Sequence, residues 1–398
     1  MNPRSPAPLD ILDTLDWPRF ATEYWDRRPV LIRGTGLPRA PFDPNELFES
    51  AVIAAQRPGV AHRIRFSAGQ RHLVDPGDLL PRPEDASFEA YDRRVTGQLH
   101  GESFSLMVLC LHSAHHPLWA RERDFLTGLW EHVGQPSAGA TTTLLHGSRA
   151  PGPSTVRRGA GFLYVALGAR RLRLGLDGHW SAADAVPGDL VYWPAGWHHT
   201  RSPGTAPAAS GTSARATASV HIGIPREPTR HGTGLPSLLA PGPNPVSPQE
   251  GWGGDGIHVP DGDPPDDLPT GLPPVLAAAL DHFRQAARPA ALERRVAREA
   301  LLQATNGGLD PVPPPARPGY FTDDDAVRAT ERVLWSKVGG RQLVAACGHV
   351  LETDLSAPEL SAVIGLLNAG EAVLVGELAP PARSLLSRLA GFRAVERL

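Results

Sequence analysis

The sequence predicts a mainly β protein with added helices: an antiparallel sandwich or barrel, then a helical section and a small final unit. Three observations carry this. Between residues 141 and 224, short apolar runs recur with Gly and Pro between them, the signature of short strands joined by turns. Residues 241 to 274 are dense in Pro, Gly and Asp without periodicity, which is linker chemistry. Beyond them, apolar residues return at helical spacing, and a compact alternation of helix-like and strand-like segments follows.

In chain order, Leu15 to Trp25 reads as a short helix, with Asp16 placed to cap it, Pro18 in its first turn, and Phe20 and Tyr24 on one face. Arg28 to Gly34 is a short apolar run ended by glycine and suits a buried strand. Residues 37 to 100 show only fragments of periodicity and stay unassigned. The apolar run Ser103 to Leu111 precedes helical spacing from Pro117 to Val133. Strands are expected at Thr141–Leu145, Gly161–Leu167, Arg171–Leu174, Asp189–Trp193 and Ser219–Ile224, with a flexible loop from Thr205 to Ala218. Val275, Leu280, Phe283, Ala287, Leu292, Val296 and Leu301 give two helices broken at Pro289. Pro311 to Pro318 reads as a hinge. The unit after it is expected to run helix (Asp323 to Leu334), strand, strand, helix, strand, helix.

Composition narrows the function classes. With 398 residues, 41% of them hydrophobic, the chain can bury a sizeable core and two or three domains. The net charge of -3 supplies no global field for nucleic acid or anionic membrane. Two cysteines, Cys110 and Cys347, exclude a disulfide framework or a thiolate cluster. No stretch approaches the roughly 18 apolar residues of a membrane span, so the expectation is a cytoplasmic protein. No G-x-S-x-G occurs, and nucleophilic catalysis has little support.

Pro187-Gly-Asp-Leu-Val-Tyr-Trp-Pro-Ala-Gly-Trp-His-His199 resembles the P-G-D-x-L-Y-x-P-x-G-x-x-H signature of cupin-fold oxygenases. Gly161 to Leu174 is similar to the hairpin of the bacterial JmjC group that hydroxylates ribosomal proteins. Tyr24-Trp-x-x-Arg-Pro-Val-Leu-Ile-Arg-Gly34 and the final unit fit the same group, so the resemblance covers nearly the whole chain. It implies a double-stranded β-helix (JmjC/cupin jelly roll), a helical section that mediates a homodimer, and a C-terminal winged-helix-like module. The corresponding spans are 1–225, 226–310 and 311–398. Implied cofactors are Fe(II) and 2-oxoglutarate, with His199 as an iron ligand and Arg170 on the distal carboxylate of 2-oxoglutarate. The implied partner is a protein or peptide client.

The resemblance also implies a His-x-Asp pair just before the hairpin, which would complete a facial triad with His199. Thr155 and Arg157 stand there, and Pro151 to Ala160 contains no His, Asp or Glu. A guanidinium cannot bind a cation. Leu172 and Val165 replace the hairpin's usual aromatic residue and glutamine, and the connection from Leu174 to Pro187 is short.

The chain holds other donors that can replace these ligands. His146, His199 and His221 can form an all-histidine site for zinc, copper or iron. Val220 and Ile222 share one face of their strand, which sets His221 on the other. His198 and His199, being adjacent, point oppositely on a strand. His100-x-Glu102 reads as a solvated turn, and His112, His115 and His116 as a polar loop. Two readings follow: a silent relative that keeps the barrel as a binding scaffold, which the site residues favour, and an oxygenase acting on a protein or peptide through a rebuilt site that includes His199.

Overall fold

The structure is a computed structural model and describes residues 7–37, 40–57, 64–136, 138–148, 159–176, 179–203, 217–225 and 288–398. Thr155, Arg157, residues 205–216 of the expected loop, the linker and the expected helix before Pro289 lie outside these. Ahead of the barrel come β1 (Ala7–Pro8), β2 (Asp10–Leu12), α1 (Trp17–Glu23), β3 (Val30–Ile32), α2 (Pro44–Gln56), β4 (Ile64–Ala68), β5 (Arg71–Leu73), α3 (Phe88–Gln98), β6 (Phe104–Leu109) and α4 (His116–Val133). The barrel strands are β7 (Thr141–Gly147), β8 (Gly159–Leu167), β9 (Arg170–Leu176), β10 (His179–Ala185), β11 (Leu190–Trp193), β12 (His198–Pro203) and β13 (Thr217–Pro225).

Strand order defines the architecture. One sheet runs β2-β3-β11-β8-β13-β7-β6-β4-β5 and the other β1-β10-β9-β12. Within them, β11-β8-β13-β7 faces β10-β9-β12, and the chain alternates between the two sheets in the Greek-key manner of a jelly roll. This is a double-stranded β-helix. One sequence expectation fails here: Gly161 to Leu174 is not a hairpin, because β8 pairs with β11 and β13 while β9 pairs with β10 and β12. The turn at Gly168, at φ +69°, carries the chain from one sheet to the other. Strands β10 and β12 have no apolar run to announce them, since their inward positions hold small or polar residues such as Ala183, Ala185 and His199.

The large sheet is covered on both faces. Inward, Leu145, Leu163, Val165, Leu172, Leu174, Val191 and Trp193 form the barrel's own core. Outward, Leu144, Phe162, Tyr164, Tyr192, Val220 and Ile222 join a larger cluster with the helices. Phe20 of α1 packs edge-on to Tyr192 at 4.9 Å between ring centroids, and the Tyr192 hydroxyl accepts from Asp26 N at 2.9 Å. The unassigned stretch 37 to 100 proves to supply much of this layer. Helix α2 starts where the Asp43 carboxylate accepts from Asn45 N and Glu46 N with Pro44 in the first turn, and Ser87 caps α3 through Ala90 N.

The Asp of the Pro-Gly-Asp turn clamps the N-terminal strand to the barrel. Asp189 accepts from Arg33 Nη1 (2.8 Å), Gly34 N (3.0 Å) and Val186 N (3.1 Å). Gly34 is required by this close approach, because a Cβ there would sit 2.7 Å from the Gly188 carbonyl carbon.

Beyond the barrel come α5 (Pro289–Thr305), β14 (Ala326–Ala329), β15 (Leu334–Val338), β16 (Arg341–Ala346), β17 (His349–Thr353), α6 (Ala357–Asn368), β18 (Val373–Leu374), α7 (Pro380–Gly391) and β19 (Val395–Arg397). Leu301 of α5 packs on Leu343, Ala345 and Val350 of the β15-β16-β17 sheet. The helix expected over Asp323 to Leu334 is absent. Val327 instead lies at the centre of the sheet β18-β14-β19, paired on both sides, so sheet pairing overrides a weak helical pattern. The expected hinge at Pro311 to Pro318 is a strap: Ala316 N bonds Gly391 O, Arg393 Nη1 bonds Pro314 O, and the His349 ring nitrogen lies 3.0 Å from Pro313 O. Trp130 Nε1 donates to Gly307 O, and Ala140 pairs with Leu309, tying this part to the barrel. Among the described residues, no helix is long and apolar enough to cross a membrane.

Candidate ligand site inside the barrel

Alternation along each strand decides what enters the barrel. On β13, Val220 and Ile222 join the outer core, so Ser219 and His221 project inward. The apolar pair thus marks the helix-covered face, and the sequence could not reveal this because the sheet has a second apolar layer behind it. On β11, Val191 and Trp193 face in. On the small sheet, His199 lies opposite Leu174, and Arg170 shares the inward face of β9 with Leu172 and Leu174.

These residues are sealed from solvent: His199 is 0% exposed, Trp193 1%, and His221 and Arg170 2% each. Trp193 packs against both histidines, at 4.6 Å from His199 and 5.4 Å from His221 between ring centroids. The two imidazoles lie 6.0 Å apart with their planes 24° from parallel. Gly161 makes room for this group, since a Cβ there would fall 2.6 Å from the Trp193 ring and 2.9 Å from His221 Nε2. Trp193 was inside the recognised motif, but sequence reasoning assigned it no role.

His146 does not join them. It projects from the outer face of β7, where its ring lies 4.9 Å from Phe88, 5.4 Å from Tyr91 and 5.7 Å from Phe104. Burial and the nearby Arg170 charge push its pKa down to about 3, so it stays neutral as a core residue. The expected three-histidine set is therefore divided by the sheet, with His199 and His221 on one side and His146 on the other.

The remaining candidates also separate. His198 lies across from the Trp180 ring at 6.5 Å, on the opposite side of β12 from His199. Glu102 pairs with Arg71 at 2.9 Å. His112 is buried and accepts from Thr142 N at 3.3 Å, and Thr142 Oγ1 bonds the fully buried Glu122 at 2.5 Å. Burial pushes the Glu122 carboxyl up to about 8. That polar group belongs to the packing of α4 on the outer face of β7, and sequence reasoning missed it because Glu122 sits in an otherwise ordinary helix.

The donors do not fit the three-ligand iron site that the resemblance implies. Such a site needs two imidazoles and a carboxylate on one face of the ion. Residues 147 to 160 supply no His, Asp, Glu or Cys, and among the described residues no group of three such side chains can hold a metal ion. Asp189, the buried acid of the motif, is committed to Arg33 and two backbone amides.

Arg170 carries the site's charge. Burial alone lowers its pKa to about 10, which leaves it cationic at neutral pH. Its Nη2 donates to Thr217 O at 3.4 Å, while Nε and Nη1 have no hydrogen-bond partner among the described residues. It is one of the largest fully buried side chains.

No family model matches this chain, and no curated relative matches its sequence. Among solved structures it is similar to YcfD, a ribosomal oxygenase from Escherichia coli, over 98% of this chain and 99% of that one, with 17% identity and a TM-score of 0.48. The same enzyme in complex with cobalt and 2-oxoglutarate is similar over 97% and 99%, with the same identity and TM-score. Oxalate decarboxylase from Bacillus subtilis is similar over 30% of this chain and 25% of its own, with 11% identity and a TM-score of 0.20. The jelly-roll assignment rests on the strand order, not on these likenesses.

Proposed function

We propose that this chain is a divergent JmjC-type relative that has lost iron-dependent hydroxylation and acts as a binding scaffold for a protein or peptide. The observation that carries this reading is the donor set in the barrel: two inward imidazoles packed on Trp193, a buried guanidinium, and no carboxylate among the described residues. A buried cation on the inner face of the same barrel raises the cost of placing Fe(II) there. In this reading residues 1–225 form the barrel unit, 226–310 join and pair two copies, and 311–398 serve as a winged-helix-like module that presents the client surface. The place of work is the cytoplasm.

A second reading has one observation in its favour. His199 and His221 do approach each other inside the barrel, and a rebuilt metal centre using both would restore an enzyme. Anaerobic titration of Fe(II) into the tag-free protein, followed by calorimetry, separates the two. The scaffold reading expects no saturable heat in wild type. Saturable binding lost in both His199→Ala and His221→Ala would establish the rebuilt centre instead.

A further inference from the structure

The outside of the barrel is treated differently on its two sheets. The helices bury the outer residues of the large sheet, whereas the small sheet β1-β10-β9-β12 turns charged and aromatic side chains outward. Alternation decides which ones: Leu172, Leu174, Ala183 and Ala185 belong to the barrel's own core, so Arg171, Arg173, Trp180, Asp184, His198 and Thr200 lie on the other face. The strand register sets them in rows. Trp180, Gly175 and His198 stand abreast across β10, β9 and β12; Ala182, Arg173 and Thr200 form the next row, and Asp184 and Arg171 the one after. Successive rows are about 7 Å apart along the strands.

The first row is a platform. Gly175 has no side chain, and the Trp180 indole lies across it, since a Cβ there would meet the ring at 2.7 Å. The Arg173 guanidinium sits over the indole at 5.3 Å from its centroid, and the His198 ring lies 6.5 Å from it. Arg171, Arg173 and His198 are exposed, and Trp180 is partly so. Covering the glycine explains where the indole lies; it does not explain two exposed arginines beside it. Asp184, 3.8 Å from Arg171, is the one acid in these rows. The face is therefore cationic on a chain whose net charge is -3.

We propose that this outer face of the small sheet binds single-stranded nucleic acid, with a base stacked on the Trp180 and His198 row and the backbone phosphates running over Arg173 and Arg171. An aromatic row beside a guanidinium row matches an unpaired base joined to a phosphate. A duplex hides the base faces that the platform takes. An acidic peptide would use the arginines and give the indole no planar partner. None of these side chains enters the barrel interior, so the proposal stands or falls apart from the scaffold reading.

The test is fluorescence anisotropy on the full-length, tag-free protein with short labelled single strands of RNA and DNA, the duplex of the same sequence, and a labelled glutamate-rich peptide. At least one single strand should bind saturably at low salt and more tightly than the duplex or the peptide, with affinity falling steeply as salt rises. Trp180→Ala should weaken that binding about tenfold. Arg173→Gln should lower the slope of log affinity against log salt by about 0.7. If Trp180→Ala does not fold, the double variant Arg171→Gln, Arg173→Gln decides, with a slope lower by about 1.4. Absence of saturable binding to either single strand would overturn the proposal, as would a duplex bound equally well or affinity unchanged in the folded variants. Equal affinity for the glutamate-rich peptide, lost in the same variants, would overturn it too and assign the face to a protein partner.

Discussion

The large sheet carries buried histidines on both faces, and the two faces treat them differently. Outside, His146 is caged by Phe88, Tyr91 and Phe104 and serves as one more ring in a hydrophobic layer. Inside, His221 meets His199 and Trp193 on a face of the barrel where Arg170 and Ser219 are also buried. Burial alone therefore does not separate a core histidine from a site histidine; the company of other polar groups does.

The comparison can be sharpened by substitutions on each side. The largest effect is expected on the inner face from Trp193→Ala. Removing a fully buried indole that touches both imidazoles should cost about 3–5 kcal/mol of stability, measured by denaturant titration. A cost under about 1 kcal/mol would mean the barrel interior around Trp193 is loosely packed.

On the outer face, His146→Phe tests the cage through pH. The folded pKa of about 3 lies below the ordinary value of 6.5. Wild-type stability from this group is therefore fully present above pH 6.5 and lost as pH falls toward 3, at up to about 1.4 kcal/mol per pH unit. The Phe variant should fold and lose that part of the acid slope. An unchanged slope would show that His146 is not held neutral.

The smallest effect is expected at the seam between the N-terminal strand and the barrel. Asp189→Asn keeps the shape of the turn but removes the charge from the Arg33 pair and weakens two backbone contacts. A loss of about 1–3 kcal/mol should follow, with the spectroscopic signature of the barrel unchanged. A collapse of the fold would mean the clamp has a larger part in closing the sheet.

Much of the barrel was legible because its strands alternate and its turns carry Gly and Pro. Thr141 to Leu145, Gly161 to Leu167, Asp189 to Trp193 and Ser219 to Ile224 all lie within observed strands or at their edges. What escaped was relational. The β8 and β9 segments read as a hairpin because they are consecutive, yet they enter different sheets. Strand β12 escaped because its residues are polar, and β14 because a weak helical pattern yielded to pairing on both sides. At the site, the sequence singled out His199, His221 and Arg170, and the structure places all three within the barrel. It could not say that His146 faces the other way, since two apolar layers share one sheet. Nor could it assign Trp193, whose place depends on Gly161 across the strand pair. Thr155 and Arg157 fall outside the described residues, so their departure from the expected ligands is known from sequence alone.

Metal content of the tag-free protein by mass spectrometry, for wild type and His199→Ala, tests the central claim most directly. The scaffold account predicts less than about one tenth of an equivalent of any transition metal in either protein, since two imidazoles without a third donor among the described residues hold such ions weakly. A near-stoichiometric metal in wild type that disappears with His199→Ala would contradict it and make the barrel a metal centre.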